Sequence, residues 1–272
     1  MQITKYFAKD LFKGKTVFVT GGGSGINLGI AKSFAAVGAS VAICGRTQER
    51  LDGATKELAA LGAKTFAKVA DVRQMPALQA AIDETKQVLG PIDVLVCGAA
   101  GNFVCRAEDL SPNGFRTVVD IDLIGSFHAS RAAFTQLKET RGTILFVSAG
   151  MAYMPYAFQL HVGAAKAGIE SMMKNLALEW GPYGIRSCSI VPGPIEGTEG
   201  MKRLADPKEM QERLRHIPMQ RMGTADEIGF AAVFLASPMA AYVTGEQLIV
   251  DGGSGLSGSA LFNIGAEKML RR

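Results

Sequence analysis

The sequence has few cysteines, and they are far apart. Its 272 residues include four, at positions 44, 97, 105 and 188, and no two of them form a C-x-x-C pair. This spacing argues against a zinc site and is typical of a protein from a reducing compartment. We therefore predict neither a structural nor a catalytic metal.

Long apolar runs are also missing. No run reaches the length of a transmembrane helix, and residues 1–13 lack the apolar region of a signal peptide. The chain ends in Met-Leu-Arg-Arg, which differs from the peroxisomal address S-K-L. We expect a cytoplasmic protein that has no membrane partner.

Neither sign of charge is concentrated in one segment. The net charge is +4, and the lysines and arginines are spread along the chain. Such mild basicity gives little support to nucleic-acid binding, so we predict no nucleic-acid partner. Hydrophobic residues make up 48% of the sequence, enough to bury a large core.

Short apolar runs alternate with helical patterns along most of the chain. The runs cover residues 16–20, 41–44, 64–69, 92–97, 143–147, 186–191 and 247–250. Continuous β-rich runs between amphipathic stretches predict an α/β fold with a doubly wound parallel sheet. Residues 192–220 interrupt the alternation with glycine, proline and charge, and we predict that they form a substrate lid.

A glycine-rich turn follows the first predicted strand and opens a helix. It contains Gly21, Gly23, Ser24, Gly25 and Ile26. Glycines at such a turn let backbone N–H groups approach a pyrophosphate, and the helix N-terminus adds a favourable field. The turn therefore predicts a nucleotide site.

From this turn onward the chain resembles the classical short-chain dehydrogenase/reductase family, whose turn reads T-G-x-x-x-G-x-G. Gly21 and Gly25 match the first two glycines, whereas Asn27 stands in place of the third. Further motifs follow in the family's order over residues 13–254. The resemblance implies one Rossmann-type domain over residues 1–272 that binds a nicotinamide cofactor and assembles as a homotetramer.

The resemblance assigns several later residues to the cofactor. Those expected beside the adenine, the ribose or the nicotinamide are Asp71, Val72, Ala99, Gly101, Lys166, Pro192, Gly193 and Ile195. Cys97 stands where the family has the first asparagine of N-N-A-G.

The end of the second strand indicates which nicotinamide cofactor is bound. An aspartate there would accept hydrogen bonds from the adenosine 2′-OH, but the chain has Arg46 followed by Thr47. Arginine pairs with a 2′-phosphate, and Thr47 can assist. We therefore predict NADPH.

The family's catalytic tyrosine is missing. It should stand four residues before Lys166, where the chain has Val162. A carbonyl reductase needs a proton donor beside the new alkoxide, and valine cannot donate. Ser148, Tyr153 and Tyr156 are alternative donors, which leaves open a reductase of 3-oxoacyl thioesters or other ketones. A nucleotide-binding protein without activity also stays open.

A second substitution accompanies the first: Asp122 occupies the position of a frequent family asparagine. Together with Lys166 and the segments around residues 99–103 and 192–200, it makes the chain similar to 2,4-dienoyl-CoA reductases of the peroxisomal type. That resemblance implies Asp122 and Lys166 as catalytic residues. We expect Asn102, Phe103 and Ser148 to contact an acyl-CoA thioester that is reduced to a 3-enoyl-CoA.

Overall fold

The computed structural model describes residues 3–198, residues 214–259 and the single residues 263, 266 and 269. In these ranges seven parallel strands form one sheet in the order β3-β2-β1-β4-β5-β6-β7. The strands are β1 (Thr16–Thr20), β2 (Ser40–Gly45), β3 (Thr65–Val69), β4 (Ile92–Cys97), β5 (Thr143–Val147), β6 (Arg186–Pro192) and β7 (Gln247–Val250). The predicted doubly wound parallel sheet is confirmed, and four strands have the predicted bounds.

Helices cover both faces of the sheet. They are α1 (Gly25–Ala36), α2 (Gln48–Ala60), α3 (Met75–Leu89), α4 (Pro112–Val119), α5 (Gly125–Thr140), α6 (Leu160–Trp180) and α7 (Ala225–Ala236). Phe34, Leu58 and Val233 belong to a buried cluster on one face, and Ile82 and Leu137 to the cluster on the other. Because β1, β4 and β5 in the middle of the sheet are covered on both sides, their sequences are nearly continuous apolar runs.

The strand order reverses beside β1, which pairs with both β2 and β4. In open α/β sheets, ligands bind in the crevice at the carboxyl ends of the strands where this reversal occurs. The Thr20 hydroxyl joins the two strand ends: Gly98 N–H and Ala99 N–H donate to it at 3.0 and 3.2 Å. The fold thus places the crevice beside the glycine-rich turn.

A widened helical turn, the π-helical segment Asp120–Ile124, joins α4 to α5. π-helical turns occur frequently at functional sites. This one directs Asp122 into the protein, where the residue is fully buried. Gly125 lies so close to Val72 that a Cβ at position 125 would be 2.6 Å from the Val72 Cγ2 atom.

The predicted lid is described at its two ends, residues 192–198 and 214–220, and residues 199–213 lie outside the described ranges. After β6, Ile195 forms an isolated parallel bridge with Gly223. This bridge ties the start of the lid to the segment that leads into α7. In the described part of the chain, no helix has the length and apolar character needed to cross a membrane.

Candidate active site

A cavity of about 460 Å³ opens at the carboxyl ends of β1, β2 and β4. Its wall includes every predicted cofactor residue except Pro192, Gly193 and Ile195, which lie at the end of β6 and after it. These lining residues are Gly21, Gly23, Ser24, Gly25, Ile26, Arg46, Thr47, Asp71, Val72, Ala99, Gly101 and Lys166. The fold therefore brings together residues that are as much as 145 positions apart (Lys166 minus Gly21) in the sequence.

The backbone of this cavity fits a dinucleotide. A Cβ at Gly22 would lie 2.6 Å from Ile43, so the turn packs directly on the sheet. Gly21 and Gly25 have positive φ angles of 67° and 58°, which residues with a side chain rarely adopt. Ser24 is the N-cap residue of α1 and its side chain makes no capping bond, which leaves the helix N-terminus to a phosphate group.

Asp71 is held in place at the adenine side of the cavity. Arg73 donates from Nη2 to Asp71 Oδ2 at 2.6 Å and from its backbone N–H to Oδ1 at 3.0 Å. The hydrogen bonds from Arg73 hold the pKa of the Asp71 carboxyl below its usual range. These hydrogen bonds fix Asp71 as an acceptor beside Val72. The resemblance implies that both residues contact the adenine.

Cys97 is a core residue at the end of β4. Burial raises the pKa of its thiol to about 12, so the side chain is uncharged. Its sulfur lies 4.0 Å from Ser130 Oγ. Cys97 thus fills apolar space where the family has a hydrogen-bonding asparagine.

Lys166 and Asp122 form a buried ion pair where α6 meets the π-helical turn. Lys166 Nζ lies 3.2 Å from Asp122 Oδ2, and their side chains are 7% and 0% exposed. Nζ also donates to the Val147 carbonyl at 3.0 Å, and Gly101 N–H donates to Asp122 Oδ1 at 2.7 Å. Among the described residues Oδ2 has no hydrogen-bond donor, so its contact with Nζ is an ion pair without hydrogen-bond geometry.

A second cavity of about 520 Å³ shares a wall with the first. Asn102, Ser148, Ile26, Val147 and Lys166 line both cavities. Pro192, Gly193 and Ile195, predicted beside the nicotinamide, line the second one together with Asp122. In the described part of the chain, Ser148 Oγ is buried and without a hydrogen-bond partner. The two cavities meet at the ion pair, which suits a cofactor in one and a substrate in the other.

Tyr153 and Tyr156, the alternative proton donors, also line the second cavity. Burial, with the nearby Asp251 carboxylate, raises the pKa of both phenols. A catalytic phenol needs the opposite shift, which a neighbouring lysine ammonium would impose. The structure therefore places both phenols, in their neutral form, in the wall of the second cavity.

Phe103 is not among the residues that line the two cavities. Its ring packs on the His161 ring, with the centroids 4.2 Å apart, and its predicted substrate contact stays a prediction. Val162, in place of the tyrosine, is buried against Val118 and Ala165. Burial lowers the pKa of His161, which favours the neutral imidazole. Sequence alone gives no sign of this stacked pair, because Phe103 and His161 meet only through tertiary packing.

A family model described as enoyl-(acyl carrier protein) reductase matches residues 21–255. The crystal structure of a short chain dehydrogenase from Bacillus anthracis is 39% identical, with a TM-score of 0.82, over 89% of this chain and 97% of that one. The chain therefore belongs to the short-chain dehydrogenase family, a class of oxidoreductases that use a nicotinamide cofactor.

Within this class the chain is similar to a specific reductase. The peroxisomal 2,4-dienoyl-CoA reductase of Saccharomyces cerevisiae, whose name specifies a (3E)-enoyl-CoA product, is 48% identical over 90% of this chain and 85% of the relative. The structure of a gluconate 5-dehydrogenase from Burkholderia cenocepacia, in complex with NADP and tartrate, is 27% identical. Its TM-score is 0.84, over 91% of this chain and 98% of that one.

The buried ion pair predicts a specific pattern of stabilities. Asp122→Ala leaves the Lys166 ammonium buried with one backbone acceptor, and we expect a loss of about 3–5 kcal/mol in the free energy of unfolding. Asp122→Ala combined with Lys166→Met removes both charges and is expected to recover most of this loss. Urea unfolding followed by circular dichroism measures both.

Asp83→Ala is the matched control, since Asp83 is an exposed carboxylate on α3. We expect it to change the free energy of unfolding by no more than about 0.5 kcal/mol. An equal loss in the Asp122 single and double variants would contradict the buried-charge argument.

Proposed function

We propose that this protein reduces 2,4-dienoyl-CoA thioesters to 3-enoyl-CoA with NADPH. The observation that carries the proposal is the buried Lys166–Asp122 pair at the junction of the two cavities, together with Val162 at the position where the family's ketone reductases have a tyrosine. The similarity to a 2,4-dienoyl-CoA reductase at 48% identity supports the same substrate.

NADPH supplies the hydride when it is bound in the 460 Å³ cavity. Arg46 and Thr47 line the part of that cavity next to the end of β2, where the adenosine ribose lies in this fold. Both side chains are exposed, and among the described residues no carboxylate forms a salt bridge with Arg46. Arg46 is therefore available to pair with a 2′-phosphate.

Lys166 orients the nicotinamide end of the cofactor. An ammonium group has three N–H donors, of which one points to the Val147 carbonyl and one side faces Asp122. One donor is left for a ligand in the cavity that Lys166 lines. We assign it to the ribose hydroxyls of the cofactor.

Hydride addition at C5 of a 2,4-diene moves the electron pair toward the thioester and makes a dienolate. The negative charge then lies mainly on the thioester oxygen, so the site must offer a donor there. Ser148 lines both cavities and its hydroxyl has no partner among the described residues. We assign Ser148 Oγ to that oxygen, with Asn102 in the adjacent wall.

Protonation at C2 of the dienolate gives the 3-enoyl product. We propose that a water bound to Asp122 Oδ2, the unused acceptor of the pair, donates this proton. The Lys166 ammonium then gives a proton to the hydroxide that remains, and a proton from solvent restores the ammonium. Since Asp122 is fully buried, the water reaches Oδ2 only after a small movement of the carboxylate or of Lys166.

A ketone reductase is the second candidate, because Tyr153 and Tyr156 line the same cavity. The pKa values of both phenols are raised, which keeps the phenols protonated, and among the described residues no lysine contributes to lowering either pKa. Asp122, the acidic partner of the buried pair, also has no assigned task in that reaction. The diene reaction accounts for both observations.

We also propose a homotetramer. Apolar side chains are exposed on the edge strand β7, on α7 and on α5 and α6; they are Ile249, Phe234, Phe127, Leu160 and Leu178. An edge strand with an exposed apolar side chain is a site for pairing with another chain.

The cytoplasmic location stays a prediction, whereas the yeast relative is named as peroxisomal.

Asp122→Ala tests the proposed chemistry. We expect the kcat for a trans-2,trans-4-dienoyl-CoA to fall by about 10²–10⁴ because the proton-donating water loses its acceptor. NADPH affinity should change little. Stopped-flow NADPH oxidation and fluorescence titration measure the two quantities separately.

The same assay with a 3-oxoacyl-CoA separates the candidates. Turnover of the ketone, lost in Tyr153→Phe or Tyr156→Phe but kept in Asp122→Ala, would favour the ketone reductase. NADPH binding without turnover of either thioester would instead indicate a binding protein without activity.

Arg46→Ala tests the cofactor. We expect the KM for NADPH to rise about 10- to 100-fold, while the KM for NADH, which lacks the 2′-phosphate, stays nearly constant. Lys56→Ala, which removes an exposed charge from α2, is the matched control. An equal effect of Arg46→Ala on both cofactors would remove the assignment of Arg46 to the phosphate.

Ile249→Lys tests the assembly. Light scattering should give about four times the chain mass of 28.8 kDa for the natural sequence and a smaller species for the variant, since a lysine on the edge opposes strand pairing. Val88→Lys, which changes an exposed apolar side chain on α3, should leave the mass unchanged. A monomer for the natural sequence would refute the proposal.

A further inference from the structure

Asn27 lies in the first turn of α1, in place of a family glycine, and its side chain reaches across to the end of β4. We propose that the Asn27 carboxamide is a positioning residue for NADPH. It fixes the distance between the glycine-rich turn and the end of β4, and so sets the shape of the cofactor cavity. This inference rests on the proposed use of NADPH.

Two hydrogen bonds define the contact. Asn27 Nδ2 donates to the Gly98 carbonyl at 2.8 Å and to the Gly21 carbonyl at 3.3 Å. Gly21 begins the turn after β1, and Gly98 follows the last residue of β4. Both hydrogens of the amide are therefore used to join the two strand ends, and these bonds determine the orientation of the amide.

The peptide groups around Gly98 are held from two sides. Thr20 Oγ1 accepts from the N–H of Gly98 at 3.0 Å, while Asn27 binds the carbonyl of the same residue. Thr20 and Asn27 come from the two ends of the glycine-rich turn. Thr20 binds only the N–H groups of Gly98 and Ala99, whereas Asn27 binds the Gly98 carbonyl. We call this set of hydrogen bonds between the glycine-rich turn and the end of β4 the Asn27 junction.

Positions 27 and 98 depend on each other. A Cβ at Gly98 would lie 2.2 Å from Asn27 Oδ1 and 2.5 Å from its Cγ, distances that real atoms do not adopt. An amide at position 27 therefore requires glycine at position 98. A glycine at position 27 would remove these close contacts.

The junction lies in the wall of the cofactor cavity. Gly21, Asn27 and Gly98 all line the 460 Å³ cavity, next to the N-terminus of α1 where the pyrophosphate binds in this fold. In the described part of the chain, Asn27 is not hydrogen-bonded to Ser148 or Asp122, the residues that act on the substrate. A loosened junction should therefore weaken NADPH binding and leave the chemical step intact.

Asn27→Asp is the most direct test, because aspartate has nearly the same shape but turns an acceptor toward two carbonyl oxygens. We expect NADPH to bind roughly 10- to 100-fold more weakly, as the loss of two hydrogen bonds implies. The kcat at saturating NADPH should stay within about twofold. A purely structural role would lower kcat or the melting temperature without this separation of KM from kcat.

A double-mutant cycle with Gly98→Ala and Asn27→Gly tests the coupling. We expect Gly98→Ala to weaken NADPH binding about tenfold in the natural background and less than about twofold in the Asn27→Gly background. A glycine at position 27 destabilises α1, but this effect is the same in Asn27→Gly and in the double variant. It therefore cancels when the NADPH affinities of these two proteins are compared. The melting temperature is recorded for each variant.

Each result of these experiments either supports or overturns the role of Asn27 in positioning NADPH. If Gly98→Ala does not fold, recovery of a folded, NADPH-binding protein in the double variant supports it, and failure of the double variant overturns it. Equal effects of Gly98→Ala in both backgrounds, or unchanged NADPH affinity in Asn27→Asp, also overturn it. Normal NADPH binding without diene turnover in the natural protein would refute the proposed reaction but not the role of Asn27.

Discussion

A lysine ammonium buried beneath the junction of two cavities is the constraint on which the site depends. Burying a charge is unfavourable unless it is paired and hydrogen-bonded, so Lys166 requires both Asp122 and the Val147 carbonyl. Asp122 in turn accepts from the Gly101 backbone. One pair thereby connects α6, the π-helical turn and the ends of β4 and β5.

This chain of contacts explains why the π-helical turn is placed where it is. A regular helix from α4 to α5 would carry one residue fewer in that turn and would rotate the following side chains by about 100°. The wider turn directs Asp122 toward Lys166 and still lets Gly125 pack on Val72. The helix therefore gives up regular hydrogen bonding at the position where a carboxylate is needed.

The strands and the cofactor cavity could be predicted from the sequence because each depends on local patterns. Continuous apolar runs indicate covered strands, and the residues that follow them meet at one edge of a parallel sheet. The π-helical turn, the Asn27 junction and the Phe103–His161 stack could not be predicted. Each depends on side chains that are distant in sequence, and their local patterns are compatible with ordinary helices and loops.

The substitutions at Val162 and Asp122 are best understood together. Reduction of a ketone creates charge on an oxygen that must receive a proton at once, which is the task of a phenol. Reduction of a conjugated thioester spreads the charge, leaves the oxygen to a hydrogen-bond donor and protonates a carbon instead. A buried valine removes the phenol, and a carboxylate beside the lysine offers an acceptor for water. Loss of function alone would explain the valine, but it would not explain a fully buried aspartate that is paired with the lysine.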